Sequence, residues 1–391
     1  MNSPATKQQF GISVQSLEQN ERSIKITWAD GKVATFHYLW LRDNCPSAFH
    51  PSTQERLFNL TTVSEDIHAV SSAFDETALY VSWSEHEHKS VYRLEWLYEN
   101  AYSADFKSTP ESSVTPWGTE IMDSLYEVQY EDLMQDDQAL HDWLYAVKKW
   151  GISYVRNVPC TDQGVIDVAN RIAFLRETNF GKVFDVKSKP NPINNAYTSE
   201  ALPLHIDLIN QETPPGYQFL HCLINDSKGG ESTYADGFKI IEELKATSPG
   251  SFQILSTVTV PMRYHDGETD IQTRHPIINV DENGRLVELR YSPHLVSTFD
   301  MDEDMMDRYY RAFRELMVLI NDARFVISIK MKAGDLCIFD NRRVMHGRNA
   351  FEASESHSGG RHLRGCYVDR SEFESRLRVL GRRFGKATAT R

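Results

Sequence analysis

His205 and Asp207 lie two residues apart in Leu204-His205-Ile206-Asp207, and His346 follows far downstream in Asp340-Asn341-Arg342-Arg343-Val344-Met345-His346-Gly347. In an extended segment, side chains at i and i+2 point the same way, so an imidazole and a carboxylate spaced like this can ligate one ion. A second imidazole arriving from another strand completes a 2-His-1-carboxylate set. That set holds Fe(II) on one face of an octahedron and leaves the remaining positions open for a co-substrate and O2. The spacing alone is weak, because a chain with 14 His carries about one His-x-Asp pair by chance. In the bland case His205 bonds locally and His346 is a loop residue, so the motif needs support from its surroundings.

Two features supply some. Arg361 opens the alternating apolar segment 362–368, and a planar guanidinium there suits a bidentate bond with the carboxylate of a 2-oxo diacid. The turn Gly229-Gly230-Glu231-Ser232-Thr233 offers a hydroxyl that could reach the same carboxylate. Each has an ordinary alternative, an edge-strand arginine and a plain turn.

The elements that must position these residues are legible in outline. The first hundred residues read as β: 24–28 and 32–38 flank Asp30-Gly31, a strong hairpin signal, and 78–83 and 90–97 suggest further strands. Residues 103–118 are rich in Ser, Pro and Thr and mark a linker, giving a small β-rich domain over 1–105 and a second domain over 120–391. In the latter, 136–150 reads as a helix with acidic residues at its start and Lys148-Lys149 at its end, followed by a strand over 152–158 and an amphipathic helix over 164–177. Further helices are expected over 238–246 and 304–321, and strands over 216–224, 258–264, 287–291, 325–331, 335–339 and 361–369. Many strands with helices to one side imply an α+β domain built on a sandwich or barrel, with the triad at strand ends.

Composition bounds the partners. A net charge of -13 argues against nucleic acid or an anionic membrane surface as partner. No stretch is long and apolar enough to span a bilayer, and five scattered cysteines suit buried thiols in a reducing compartment, so a cytoplasmic location is expected.

Phe219-Leu220-His221-Cys222-Leu223, Gly229-Gly230-Glu231-Ser232, Ala235-Asp236-Gly237-Phe238, the 340–347 run, Arg361-His362-Leu363 and Tyr38-Leu39-Trp40-Leu41-Arg42-Asp43-Asn44-Cys45 together resemble the γ-butyrobetaine/trimethyllysine hydroxylase family, which are TauD-like Fe(II)- and 2-oxoglutarate-dependent dioxygenases. The similarity runs from about residue 24 to about residue 380 and is far more specific than any single motif. It implies a double-stranded β-helix (jelly-roll) catalytic domain with flanking helices, a small mainly-β N-terminal domain, and a homodimer.

Carried across residue by residue, the resemblance makes His205, Asp207 and His346 the iron ligands, and Arg361 the partner of the 2-oxoglutarate C5 carboxylate. Ser232 and Leu220 then line the co-substrate site. With Fe(II), 2-oxoglutarate and O2 supplying the oxidation, the protein needs no general base or nucleophile. The family holds a trimethylammonium group in an aromatic cage, and the matching positions are Phe180, Phe184, Tyr197, Leu208 and Tyr367. A quaternary ammonium cannot donate a hydrogen bond, so aromatic faces are its natural partners, at about 0.5–2 kcal/mol each.

Three departures stand out. Leu208 replaces an aromatic residue. At the anion end Asn194 is retained, but Ser292 replaces an asparagine, and Arg290, two residues earlier, would share its strand face. An added guanidinium would suit a phosphonate, so 2-(trimethylamino)ethylphosphonate and γ-butyrobetaine both stand as substrates. Finally, the family's structural zinc site of three cysteines and a histidine is reduced to Cys45 with His86 and His88 nearby, and the zinc is expected to be absent. Two readings from other classes remain. One is a zinc hydrolase on the same triad with Glu212 as base. The other is a non-catalytic betaine-binding module.

Overall fold

The computed structural model describes residues 12–85, 87–106, 114–187, 198–352 and 360–385. The chain divides into two compact units, Met1–Glu111 and Ser112–Arg391.

The first unit contains two antiparallel three-stranded meanders, Val14–Gln19, Ser23–Trp28 and Val33–His37, then Ala69–Phe74, Ala78–Trp83 and Lys89–Arg93. The Asp30-Gly31 turn joins the second and third strands, with Gly31 at φ +87°, the left-handed backbone a glycine adopts without strain. Alternation buries Ile24, Ile26 and Trp28 on one face, where they meet Phe36, Tyr38, Leu79, Val81 and Trp83 in one core. The strand expected over 90–97 stops at Arg93, and Leu94–Glu99 is a short helix whose Leu94 and Leu97 bury on the same core.

In this unit Cys45 is buried in a hydrogen-bonded cluster. Its Sγ lies 3.1 Å from Ser47 Oγ and 3.6 Å from His88 Nε2, and accepts from Ser90 Oγ at 3.0 Å, while Trp83 Nε1 donates to Ser90 Oγ at 2.8 Å. Structural zinc asks for four tetrahedral ligands, commonly thiolates. Two hydroxyls and one imidazole around a single sulfur do not fit it. His86 lies outside the described residues.

The second unit is the expected jelly roll with flanking helices. A six-stranded sheet runs in the order Glu127–Gln129, Ile152–Arg156, Leu336–Asp340, Tyr217–Asn225, Arg361–Val368, Val183–Lys187. A four-stranded sheet runs Leu202–His205, Val344–Arg348, Ser232–Asp236, Val326–Ile329. Their inner faces share one core: Leu220, Cys222, Cys337, Phe339 and Leu363 from the first meet Tyr234, Ile327 and Val344 from the second.

Helices cover the outer faces. Asp137–Trp150 starts at Asp136, whose side chain accepts from the Gln138 N–H, and ends at Gly151 with φ +74°. Its Leu140, Trp143, Leu144 and Val147 recur at i, i+3, i+4 and i+7 and pack on Val155, Phe219 and Ile338, each full burial contributing about 1.5–3 kcal/mol. Gly164–Asn170 and the C-terminal helix Arg370–Arg383 complete that layer, the latter through Phe373, Leu377 and Leu380. Gly237–Thr247, Pro249–Thr257 and Glu303–Ile320 cover the other sheet. The helix expected to reach residue 177 ends at Asn170, and by residue 176 the N–H has turned to the Tyr367 carbonyl at 2.8 Å. No described helix is long and apolar enough to cross a membrane.

Candidate active site

The antiparallel pairing of Leu202–His205 with Val344–Arg348 places His205 directly opposite His346, with ring centroids 4.3 Å apart. Asp207 follows just beyond the strand end, and its Oδ1 lies 3.2 Å from His205 Nε2 and 3.9 Å from His346 Nε2. Ligand atoms of the three residues all lie within 4.8 Å of one another, as for donors to a single ion. His205 Nδ1 bonds the Pro203 carbonyl at 2.8 Å, which fixes the ring with Nε2 towards the centre. The Tyr367 hydroxyl donates to Asp207 Oδ2 at 2.8 Å, leaving Oδ1 as the carboxylate oxygen that faces both imidazoles.

The electrostatics suit a cation. Burial alone would raise the Asp207 carboxyl, but His346, His205 and the Tyr367 hydroxyl outweigh it and hold Asp207 below the usual carboxylate range. Burial, then His205, pushes His346 down to about 3, so its imidazole is neutral and its lone pair available to a metal. The donor set of two imidazoles and one carboxylate fits Fe(II).

A cavity of about 150 Å3 opens on the triad. At one end Arg361 is buried, donating from Nε to the Gly230 carbonyl at 3.1 Å and from Nη2 to Ser232 Oγ at 3.3 Å. The turn can approach this closely because a Cβ on Gly230 would meet Arg361 Cδ at 3.2 Å, and one on Gly229 would meet the Ala350 carbonyl at 2.5 Å. Leu220 and Arg348 line the same cavity, and Arg348 is pushed down to about 10, by burial first and then by the Arg361 charge. Two guanidiniums at one end of the cavity favour an anion there.

The other walls are apolar and aromatic. Phe184 stacks on Tyr367 with centroids 5.1 Å apart, and Phe180 meets Tyr264 edge-on at 5.4 Å. Gly365 lies beneath Phe184, where a Cβ would stand 2.5 Å from the ring. Leu208 lines the cavity at φ +56°, an uncommon conformation for a leucine. Ser292 is buried on the wall, and its Oγ meets no partner among the described residues. Asn194 and Tyr197 lie outside the described residues.

Arg290 requires a correction. It is absent from the cavity wall, and its Nε pairs with Glu288 at 2.6 Å, Nη1 donates to the Ile209 and Gln211 carbonyls, and Nη2 donates to the Glu212 carbonyl. The strand ends at Leu289, so strict alternation does not carry from Ser292 back to Arg290, and the guanidinium turns to brace the 209–212 turn instead. Glu212, the base of the hydrolase reading, is exposed and also absent from the wall.

Several wall residues escaped the sequence reading. Tyr264 sits on the hairpin Val260–His265/Asp270–His275, and His294 packs edge-on against His205 with centroids 5.6 Å apart. Gln218, two before Leu220 on the same strand face, was findable from alternation within the expected strand.

Residues 106–367 match the family model of taurine catabolism dioxygenase TauD, TfdA family, and residues 15–98 match that of the γ-butyrobetaine hydroxylase-like N-terminal region. The chain belongs to the TauD/TfdA dioxygenase family. Within it, the chain falls in the γ-butyrobetaine/trimethyllysine hydroxylase group. It is 41% identical to a γ-butyrobetaine dioxygenase of Pseudomonas sp. (strain AK-1), over 92% of this chain and 94% of that protein. The human γ-butyrobetaine dioxygenase is 32% identical over 92% of this chain and 95% of its own length. The mitochondrial trimethyllysine dioxygenase of Bos taurus is 30% identical over 93% and 87%. This dioxygenase is accordingly an Fe(II)- and 2-oxoglutarate-dependent oxidoreductase. Iron, 2-oxoglutarate and O2 supply the oxidising chemistry, and the residues of the dioxygenase ligate, orient and exclude water.

Proposed function

We propose that this dioxygenase hydroxylates a C–H bond of a small trimethylammonium compound with an anionic tail. The observation that carries the proposal is the aromatic wall beside the triad, formed by Phe180, Phe184, Tyr264 and Tyr367, since a cation that cannot donate hydrogen bonds is best held by aromatic faces. In this reading His205, Asp207 and His346 hold iron, and Arg361 with Ser232 and Leu220 seats the C5 carboxylate of 2-oxoglutarate. Phe180, Phe184, Leu208 and Tyr367 seat the ammonium head together with Tyr197, and Ser292 with Asn194 meets the tail. The likeness to γ-butyrobetaine dioxygenases supports γ-butyrobetaine as substrate. Ser292 supports the phosphonate, 2-(trimethylamino)ethylphosphonate, because a serine in place of an asparagine leaves room for a larger tetrahedral head and its hydroxyl is unengaged. Arg290 supports neither.

The test is succinate release on a panel of γ-butyrobetaine, trimethyllysine and the phosphonate, with product mass read in parallel. One of the three should stimulate succinate formation and gain one oxygen. If none stimulates turnover while iron and 2-oxoglutarate still bind, the substrate class is wrong. The homodimer is part of the same proposal, and sedimentation reading a single-chain mass would remove it.

A further inference from the structure

We propose that Asn341 is a positioning residue for the iron centre, acting through the main chain of Asp207. Asn341 is fully buried in the turn between Leu336–Asp340 and Val344–Arg348. Its Oδ1 accepts from the Asp207 N–H at 3.0 Å, and its Nδ2 donates to the Asp207 carbonyl at 3.1 Å and to the Pro215 carbonyl at 3.2 Å. Its own N–H donates to the Gly216 carbonyl at 2.8 Å. One side-chain amide therefore engages both polar groups of the ligand residue's backbone, as a neighbouring strand would.

Asp207 needs such a partner because the strand that carries His205 ends at His205, two residues before it. The ladder that fixes His205 opposite His346 does not extend to Asp207. The following residue also resists the observed path. Leu208 has φ +56°, a region in which a side chain crowds its own carbonyl. Released, the chain would relax Leu208 towards negative φ and swing the Asp207 carboxylate away from the two imidazoles. Asn341 opposes that relaxation. The turn that carries Asn341 leads directly into the strand that carries His346, so one short segment delivers one ligand and sets the direction of another.

Two polar bonds and a strained neighbour make a coupling that can be measured. The full-length protein, stripped of metal, is titrated anaerobically with Fe(II), and with Co(II) as a spectroscopic surrogate, against a competing chelator. Asn341→Ala should weaken metal binding at least tenfold. Leu208→Gly, which removes the resistance to positive φ, should bind metal about as tightly as the parent chain. In the Asn341→Ala/Leu208→Gly double variant most of the lost affinity should return, because glycine holds the turn without the clamp. A residue that merely supports the fold would show losses that multiply, with no recovery. That outcome, or parental affinity in Asn341→Ala, overturns the proposal. Should Asn341→Ala fail to fold, Asn341→Ser in both backgrounds carries the same comparison. The metal readout stands apart from substrate identity, so it fails or succeeds independently of the proposed function.

Discussion

The Tyr367 hydroxyl donates to Asp207 Oδ2 at 2.8 Å while the Tyr367 ring stacks on Phe184 at 5.1 Å, so one side chain joins the iron ligand to the aromatic wall. The two roles separate in mutants. Tyr367→Phe keeps the ring and loses the bond to a charged acceptor, worth about 1.5–3 kcal/mol. Iron affinity should fall roughly 10- to 100-fold by that measure, with substrate KM little changed at saturating iron. Tyr367→Leu should impair both. Equal KM effects in the two variants would place the hydroxyl, not the ring, against the substrate.

Arg361 is a fork aimed at an anion. Arg361→Lys keeps the charge but loses the planar pair of donors, so KM for 2-oxoglutarate should rise about tenfold or more. The visible charge-transfer band of the anaerobic iron–2-oxoglutarate complex should need correspondingly more co-substrate to saturate. A KM unchanged in both Arg361→Lys and Arg361→Ala would move the carboxylate elsewhere, with Arg348 the next cation on the wall.

Arg290 should behave as a structural residue. Arg290→Ala leaves Glu288 only the longer contact with Arg342 at 3.7 Å and releases three backbone carbonyls, a loss of about 3 kcal/mol typical of a broken buried pair. Thermal denaturation should shift down by several degrees while the ranking of carboxylate and phosphonate substrates stays the same. A changed ranking with an unchanged melting temperature would return Arg290 to the site.

Acid should destabilise the catalytic unit through His221. Burial depresses this histidine to about 4 from 6.5, outweighing the Val158 backbone and the Asp335 charge, which both act the other way. The folded state keeps the ring neutral and the unfolded state takes up a proton below pH 6.5. The associated stability is therefore complete above pH 6.5 and is lost as pH falls towards 4, about 3 kcal/mol in all. Melting curves at pH 7.5 and 5 should converge in His221→Phe relative to the parent protein. An identical acid shift in both would exonerate His221.

Around Cys45 the contacts are those of one sulfur with two hydroxyls and one imidazole, a poor donor set for zinc. Chelator treatment of the full chain should leave its melting temperature unchanged, and elemental analysis should find well under one zinc per chain. Stoichiometric zinc lost together with stability would show that other ligands complete the site.

Spacing alone left His205, Asp207, His346 and Arg361 each with an ordinary alternative; the family resemblance grouped them, and the fold brings all four to one cavity. The density of short strands pointed only to a sandwich or barrel, and the jelly roll came from the family resemblance. It misplaced Arg290 because alternation holds only while a strand lasts, and this one ends at Leu289. Tyr264 and His294 had no local signal, since the wall they join is assembled by long-range packing. The C-terminal helix was hidden by its many arginines, although Phe373, Leu377 and Leu380 keep the helical spacing. Asn341 stood within a motif already noted, but its role depends on the conformation of a residue far away in the chain.

Gly365 carries a consequence for how such enzymes diversify. The Phe184 ring occupies the place where any larger residue at 365 would put its first carbon. The depth of the aromatic wall is thus set by a position whose own atoms face no bound molecule. Variation at 365 would have to displace both Phe184 and the Phe219 carbonyl, 2.9 Å from the same point, and would so resize the chamber without changing the chemistry of any side chain on its wall. Substrate range can therefore drift through a neighbour that contributes nothing but space.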